Sequence, residues 1–293
     1  ALIDLDKNLQ RTGERIGSVL IAGGEVVVPF HKLPNPTDDS DEEVPSDNPY
    51  GSLDSNYFVT DWPVGRLPGE DGSEVGLLLT QIRNVQNYHA HDASAESLFS
   101  QILSRLMFWN RPWIKQFSNI GYSASVWRRS SHAVFHAIGD AHNLFLSPDP
   151  TKAPFKTSKL STAPLAYFNL HGVEDGSSWY GQKDPFEKVP GADYPVALTP
   201  DDLRKMPSVP PIIFSEACYG GHIFGKAETE SIALTFMGAG NYALIASPTI
   251  AYGSVTTPMI GADLLGYLTF MNLKKGLAVG PAFSKAKVEF VRE

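Results

Sequence analysis

At 293 residues with a formal net charge of −8, the chain is long enough for one large domain or two modest ones. It has no basic stripe of the kind a nucleic-acid binder needs. Hydrophobic residues make up 42% and charged residues 19%, an ordinary globular balance, and no apolar run nears the roughly 20 residues of a membrane span. The single cysteine excludes an internal disulfide and a thiolate-rich metal site.

The chain starts at Ala1 without a signal-peptide pattern, which reads as a processed form or a piece of something longer. Leu5–Arg15 reads as a helix or an ordered arm. Ser18–Ala22 is a short buried strand stopped by Gly23 and Gly24, and Val26–Val28 is a second β-prone run before Pro29. Leu33–Tyr50 is loop by composition, with four prolines and the acidic run Asp38–Glu43. The carboxylates of Asp38, Asp39 and Asp41 make a candidate calcium site, since a hard cation takes closely spaced oxygens. The run lacks EF-hand spacing, and a solvated loop is the alternative. Tyr57–Val59 reads as a strand. Ser73–His89 and Ser94–Trp109 show helical spacing, the second with Ser94 as N-cap and Pro112 past its end.

From Phe117–Ser123 onward, strands and helices alternate. A helix over Ser130–Ala141 precedes a Pro- and Lys-containing linker, Ser147–Ala163. The apolar strand Leu165–Gly172 leads into a long loop, Val173–Pro200, and a short helix at Pro200–Arg204. The strand Pro211–Gly221 is followed by a helix (Glu228–Met237), a third buried strand (Tyr242–Ser247) and helices over Met259–Phe270 and Pro281–Val291. Alternation of this kind implies an α/β fold with a mostly parallel sheet flanked by helices. There is no internal repeat.

Two of these strands end on chemistry. Leu165–Gly172 delivers His171 and Pro211–Gly221 delivers Cys218, each closely followed by glycine. Their separation of 47 positions suits one loop, one helix and one strand, so neighbouring parallel strands would present a base and a nucleophile on one rim of the sheet, where open α/β sheets place their sites. A thiol nucleophile needs a base and donors for a developing oxyanion. His171 supplies the first, and the backbone N–H groups of Gly172 and Cys218 are candidates for the second. A lone cysteine is often an inert small core residue, and His-Gly often only a turn; the joint placement favours the pair. His132 and His136, four apart on one helix and followed by His142, have a spacing that can bind zinc but no evident third ligand, and His89, His91 and Asp92 read as an inter-helix turn.

His-Gly after one apolar strand and Ala-Cys after the next resemble the caspase-like clan of cysteine peptidases, and within it the gingipain family. Asp61–Pro68 with the helix after it resembles that family's Gly-Arg strand-to-helix segment. Ser46–Tyr50 resembles the Asp–Tyr piece before it, and Leu244–Met259 the strand and substrate loop after the nucleophile. The resemblance implies a cysteine endopeptidase with a smaller α/β subdomain (residues 1–114) and a caspase-like catalytic subdomain (residues 115–293). Cys218 would be the nucleophile and His171 the general acid/base, with the oxyanion held by the amides of Gly172 and Cys218. The implied substrates are polypeptides. No cofactor is required, with a structural calcium ion allowed as an option; the location is extracellular or at the cell surface, and flanking domains of a longer precursor are implied partners.

The chain departs from the family pattern at one place. Arginine-cleaving members carry an acidic residue that orients the histidine and another in the P1 pocket. Here Gly121–Gly139 contains neither Asp nor Glu. Ser125 or a backbone carbonyl is left to orient His171. Arg128 and Arg129 permit an acidic P1 side chain through guanidinium–carboxylate pairing, or are a solvated helix start. Glu174, Asp175 and Glu216 are candidates for an acidic pocket, and Trp127 and Tyr252 for its walls. The missing acid also keeps open a catalytically silent, peptide- or partner-binding module, and the same dyad would serve an acyl hydrolase or transferase.

Overall fold

The computed structural model describes residues 2–69, 75–95, 119–151 and 155–293. Helix α1 (Leu2–Gln10) is followed by β1 (Val19–Ala22), β2 (His31–Pro34), β3 (Glu43–Ser46) and β4 (Val64–Leu67), and then by helix α2 (Gly76–Ala95). β1 pairs with β4 in parallel, and β2 with β3 as an antiparallel ribbon whose connection carries the acidic run.

An ion pair holds this part together. The Arg66 guanidinium donates to both Asp47 carboxylate oxygens at 2.8 and 2.6 Å and to the Gly23 carbonyl at 2.7 Å. It also lies 4.0 Å from the centroid of the Phe30 ring. Its side chain is only 6% exposed, so these protein acceptors stand where water would otherwise have been. The two pieces singled out in the sequence, Ser46–Tyr50 and Asp61–Pro68, are thus the two sides of one fork-to-fork contact.

The second part begins with β5 (Ile120–Ala124), helix α3 (Arg128–Phe135), β6 (Leu144–Ser147) and β7 (Leu165–Asn169). The ribbon strands β8 (Trp179–Tyr180) and β9 (Val196–Leu198) come next, then helix α4 (Pro200–Arg204), β10 (Ile212–Ser215), helix α5 (Ile232–Gly238), β11 (Ala243–Ile245), helix α6 (Gly261–Lys274) and helix α7 (Val279–Phe290). Five of these strands form one sheet in the order β11-β10-β7-β5-β6, with every pairing parallel. The chain steps from β5 outward to β6 and returns to β7 on the other side. The strand order therefore reverses between β5 and β7, and open sheets bind ligands beyond the carboxyl ends of the strands at such a point.

Alternation along the strands divides the core. Ala166, Phe168, Leu170, Ile213 and Ala217 face a cluster with Leu203, Ile232 and Phe236, on the side of α4 and α5. Leu165, Tyr167 and Phe214 face the opposite cluster with Val134, Phe135 and Phe270, on the side of α3 and α6. Tyr167, Phe168, Phe236 and Phe270 are fully buried, and burial of each such side chain contributes roughly 1.5–3 kcal/mol. The first part docks onto the second through α2: the Asn84 amide donates to the Met237 carbonyl at 3.4 Å, and the Tyr88 and Tyr242 rings lie 4.3 Å apart.

The sequence reading needs several corrections. Val26 and Val27 lie in an exposed turn, and Tyr57–Val59 forms no strand. The loop expected over Leu33–Tyr50 is interrupted by the β2–β3 ribbon. Its prolines Pro34 and Pro45 occupy a two-stranded edge, where a missing N–H need not break a ladder bond. β6, a short edge strand, lies between the expected helix over Ser130–Ala141 and the linker, where no element was expected. Ser94 lies within α2; the rest of the helix expected over 94–109 falls outside the described residues. Replacing Asp47 with Ala should leave Arg66 buried without its counter-charge and lower stability by about 3–5 kcal/mol in urea unfolding. A second change of Arg66 to Met should restore part of that loss.

Candidate active site

Register places the two key residues. β7 and β10 pair at a constant offset, Ile212↔Leu165 through Ser215↔Phe168, and the Glu216 N–H extends the ladder to the Phe168 carbonyl at 2.8 Å. The same offset, carried past the strand ends, sets Cys218 against His171. The backbone of His171 is clamped from the other side by the β8 ribbon, with reciprocal N–H···O=C bonds to Tyr180 at 2.8 Å each.

Close approach here demands glycine. A Cβ on Gly172 would lie 2.0 Å from the Cys218 carbonyl oxygen, so no other residue fits without moving the chain. Beyond Cys218 the chain turns through Tyr219, whose φ of 54° lies in the left-handed region. The turn is zipped to the segment after β11 by Tyr219 N–H to the Thr249 carbonyl (2.9 Å) and Gly221 N–H to the Ser247 carbonyl (2.7 Å). The Cys218 thiol is free and half-buried. It receives the Ala251 N–H at 3.4 Å and lies 3.6 Å from the Ala251 carbonyl oxygen. Among the described residues neither the Gly172 N–H nor the Cys218 N–H has an acceptor, which leaves both available as donors.

His171 is held by neutral groups. Its Nε2 pairs with Gln182 Oε1 at 2.8 Å, and the Gln182 amide donates to the Tyr194 hydroxyl at 3.2 Å. With the amide oriented by Tyr194, Nε2 carries the proton and Nδ1 keeps a free lone pair. Trp127 packs on the imidazole with ring centroids 4.3 Å apart, and Tyr194 lies 5.4 Å away. Burial pushes the His171 pKa below its ordinary value, and the bond to Gln182 opposes the shift without cancelling it. The imidazole is therefore neutral at neutral pH.

The remaining predicted residues divide sharply. Trp127 packs on the His171 ring. Ser125 does not orient the histidine: it is buried and its single hydroxyl proton goes to the Pro148 carbonyl. Gln182 has that place, and nothing in the sequence marked a glutamine in a long loop. Glu216 is no pocket wall, because alternation turns it with Phe214 into the core, where it meets Asp263 and Tyr167. Burial and the adjacent Asp263 hold its carboxyl well above the usual range. Arg128 is paired with Glu187 at 2.7 Å. Glu174 and Asp175 are exposed on the loop after Gly172, beside Lys226, whose ammonium donates to the Glu174 and Gly176 carbonyls.

Tyr252 donates to Asp39 at 2.6 Å. The calcium expectation at Asp38, Asp39 and Asp41 finds no cage. The oxygens of Asp39 and Asp41 accept bonds from Thr37, Asn35, Tyr219, Tyr252 and backbone N–H groups. Among the described residues no group of three or more His, Cys, Asp or Glu side chains is placed to hold a metal. His132 and His136 stack on each other, centroids 6.2 Å apart.

Comparison with known proteins agrees with the resemblance read from the sequence. Residues 2–112 match the family model of Peptidase family C25. The fold is shared with the Arg-specific cysteine proteinase gingipain R, at a TM-score of 0.62 and 17% identity over 98% of this chain and 62% of that one. It is shared also with the complex of pro- and mature domains of RgpB from Porphyromonas gingivalis, at 0.61 and 16% over 100% and 64%. A structure described only as a protease matches at 0.55 and 13% over 97% and 64%. The chain spans less than two thirds of the length of each. No curated protein matches it. The α/β fold is thus the caspase-like one of the gingipains.

Two outcomes follow from the geometry. Gln182→Glu sets a carboxylate against the Nε2 proton and should raise the His171 titration midpoint by about one pH unit or more, read from imidazole NMR shifts. Gly172→Ala should cost about 1–3 kcal/mol in urea unfolding, by forcing Cβ into the Cys218 carbonyl.

Proposed function

We propose that the chain is a cysteine endopeptidase of the gingipain-like kind, with His171 and Cys218 as its catalytic dyad. The observation that carries this reading is the shared register of β7 and β10, whose offset, carried past the strand ends, pairs the backbone positions of the sole thiol and of a neutral imidazole at the carboxyl rim of the sheet. In this mechanism His171 Nδ1 accepts the Cys218 proton as the sulfur attacks the scissile carbonyl carbon. The carbonyl oxygen gains the negative charge and takes hydrogen bonds from the Gly172 and Cys218 N–H groups. The imidazolium then protonates the departing amine, which leaves a thioester on Cys218. Water, deprotonated by the same imidazole, attacks the thioester and releases the carboxylic product with the thiol restored.

Gln182 fills the orienting place with a neutral acceptor. It fixes the tautomer as a carboxylate would, but stabilises the imidazolium less. The same neutral clamp is what favours the second reading, a silent module that holds peptides without cutting them. Specificity for a basic or an acidic side chain is not part of the proposal: Arg128 is compensated by Glu187, and Glu216 is in the core.

The test is cleavage of a peptide library varied at the residue before the scissile bond. The wild-type chain should cut a subset of it, Cys218→Ala should abolish cleavage, and His171→Ala should reduce kcat by about 10²–10⁴-fold. Retained peptide binding with no cleavage by the wild type would establish the silent module instead.

A further inference from the structure

The acidic run between β2 and β3 reaches across the molecule to the nucleophile. Asp39 shapes the run: its carboxylate accepts the Asn35 amide (2.8 Å), the Thr37 hydroxyl (2.6 Å) and the Asp41 N–H (2.8 Å). Asp41 then projects into the second half of the chain. One of its carboxylate oxygens accepts the Tyr219 hydroxyl at 2.8 Å, and the other accepts the Ile250 N–H at 3.0 Å. Tyr219 follows Cys218 directly. Ile250 precedes Ala251, whose N–H and carbonyl are the two groups around the Cys218 sulfur. Asp39 adds a third tie, to the hydroxyl of Tyr252 at 2.6 Å.

We propose that Asp41 is a positioning residue for Cys218: one carboxylate bridges the residue after the nucleophile to the segment that grips its sulfur. The inference rests on the peptidase reading and deepens it. A carboxylate suits this task because its two oxygens serve two donors at once, one side chain and one backbone. Tyr219 needs such a tether because it holds a left-handed backbone with a bulky side chain, a conformation that persists only when surrounding contacts enforce it. Burial and the Asp41 carboxylate hold the Tyr219 hydroxyl protonated, so the donor is permanent. Loss of the bridge frees the Cys218 turn and the Ile250–Tyr252 segment to move independently. The thiol then loses its fixed approach to the substrate carbonyl while the substrate's own contacts stay in place.

The test compares Asp41→Ala, Asp41→Asn and Tyr219→Phe with an Asp38→Ala control, well below the unfolding temperature of each. Peptide cleavage gives kcat and KM. Labelling by iodoacetamide gives the reactivity of Cys218 alone, since the chain has no other cysteine. Asp41→Ala should lower kcat by about 10-fold or more with KM within about 2-fold, and change the labelling rate by at least about 3-fold. Asp41→Asn, which keeps one acceptor oxygen, should fall between. Tyr219→Phe added to Asp41→Ala should cost nothing further, and Asp38→Ala should match the wild type. The inference is overturned if Asp41→Ala keeps both kcat and labelling rate within 2-fold of the wild type, or if its losses equal its unfolded fraction. If the wild type cuts no peptide the peptidase reading fails, and the labelling rates alone still decide whether Asp41 places the thiol.

Discussion

Parallel pairing between β7 and β10 is the constraint from which the site follows. In a parallel pair both strands point their carboxyl ends to the same edge, so a constant register converts a distance along the chain into a meeting in space. Buried side chains on both faces pin that register, because a slip of one residue would turn Phe168 and Tyr167, and likewise Ile213 and Phe214, to the wrong clusters. Glycine at 172 lets the two strand ends close to contact. The β8 ribbon then fixes the backbone of His171, and the segment after β11 fixes that of Cys218. The chemistry is a boundary condition of the sheet, with little added by the loops except orientation.

The way orientation is added sets this chain apart from a triad. Gln182, Tyr194 and Trp127 surround the imidazole with neutral groups, and burial pushes its protonation down. The nearest buried carboxyls, Glu216 and Asp263, lie on the core side of the sheet and serve packing. Asp263 accepts the Ser254 N–H and ties down the loop before α6, while burial and Asp263 push the Glu216 carboxyl above its usual range. Carboxylates close to the dyad in sequence are therefore remote from it in function.

Strand ends with a terminal His or Cys were legible because both runs are apolar, short and punctuated by glycine. The mostly parallel sheet was legible from alternation of elements. What escaped the sequence has physical reasons. Parity decides the fate of Glu216, and counting in steps of two from Phe214 would have put it in the core. Gln182 and Asp41 have no local signature, since each acts through a contact made only when distant segments pack. Ser125 failed because a serine beside a strand end has many nearby carbonyls to bond, and Pro148 was one of them. Pro-rich composition concealed the β2–β3 ribbon, because edge strands tolerate prolines that central strands do not.

The Asp41–Tyr219 contact joins residues 178 apart, and this separation bears on the order of events in folding. Closing so long a loop costs about 1 kcal/mol more in chain entropy than closing the β7–β10 span. Non-local contacts of this kind are slow to form and come after the sheet that supports them. On the positioning proposed for Asp41, the Cys218 thiol takes its final place only after both halves of the chain have folded and docked. A thiol placed on that schedule stays out of alignment for as long as unfolded segments of the same chain lie exposed to it.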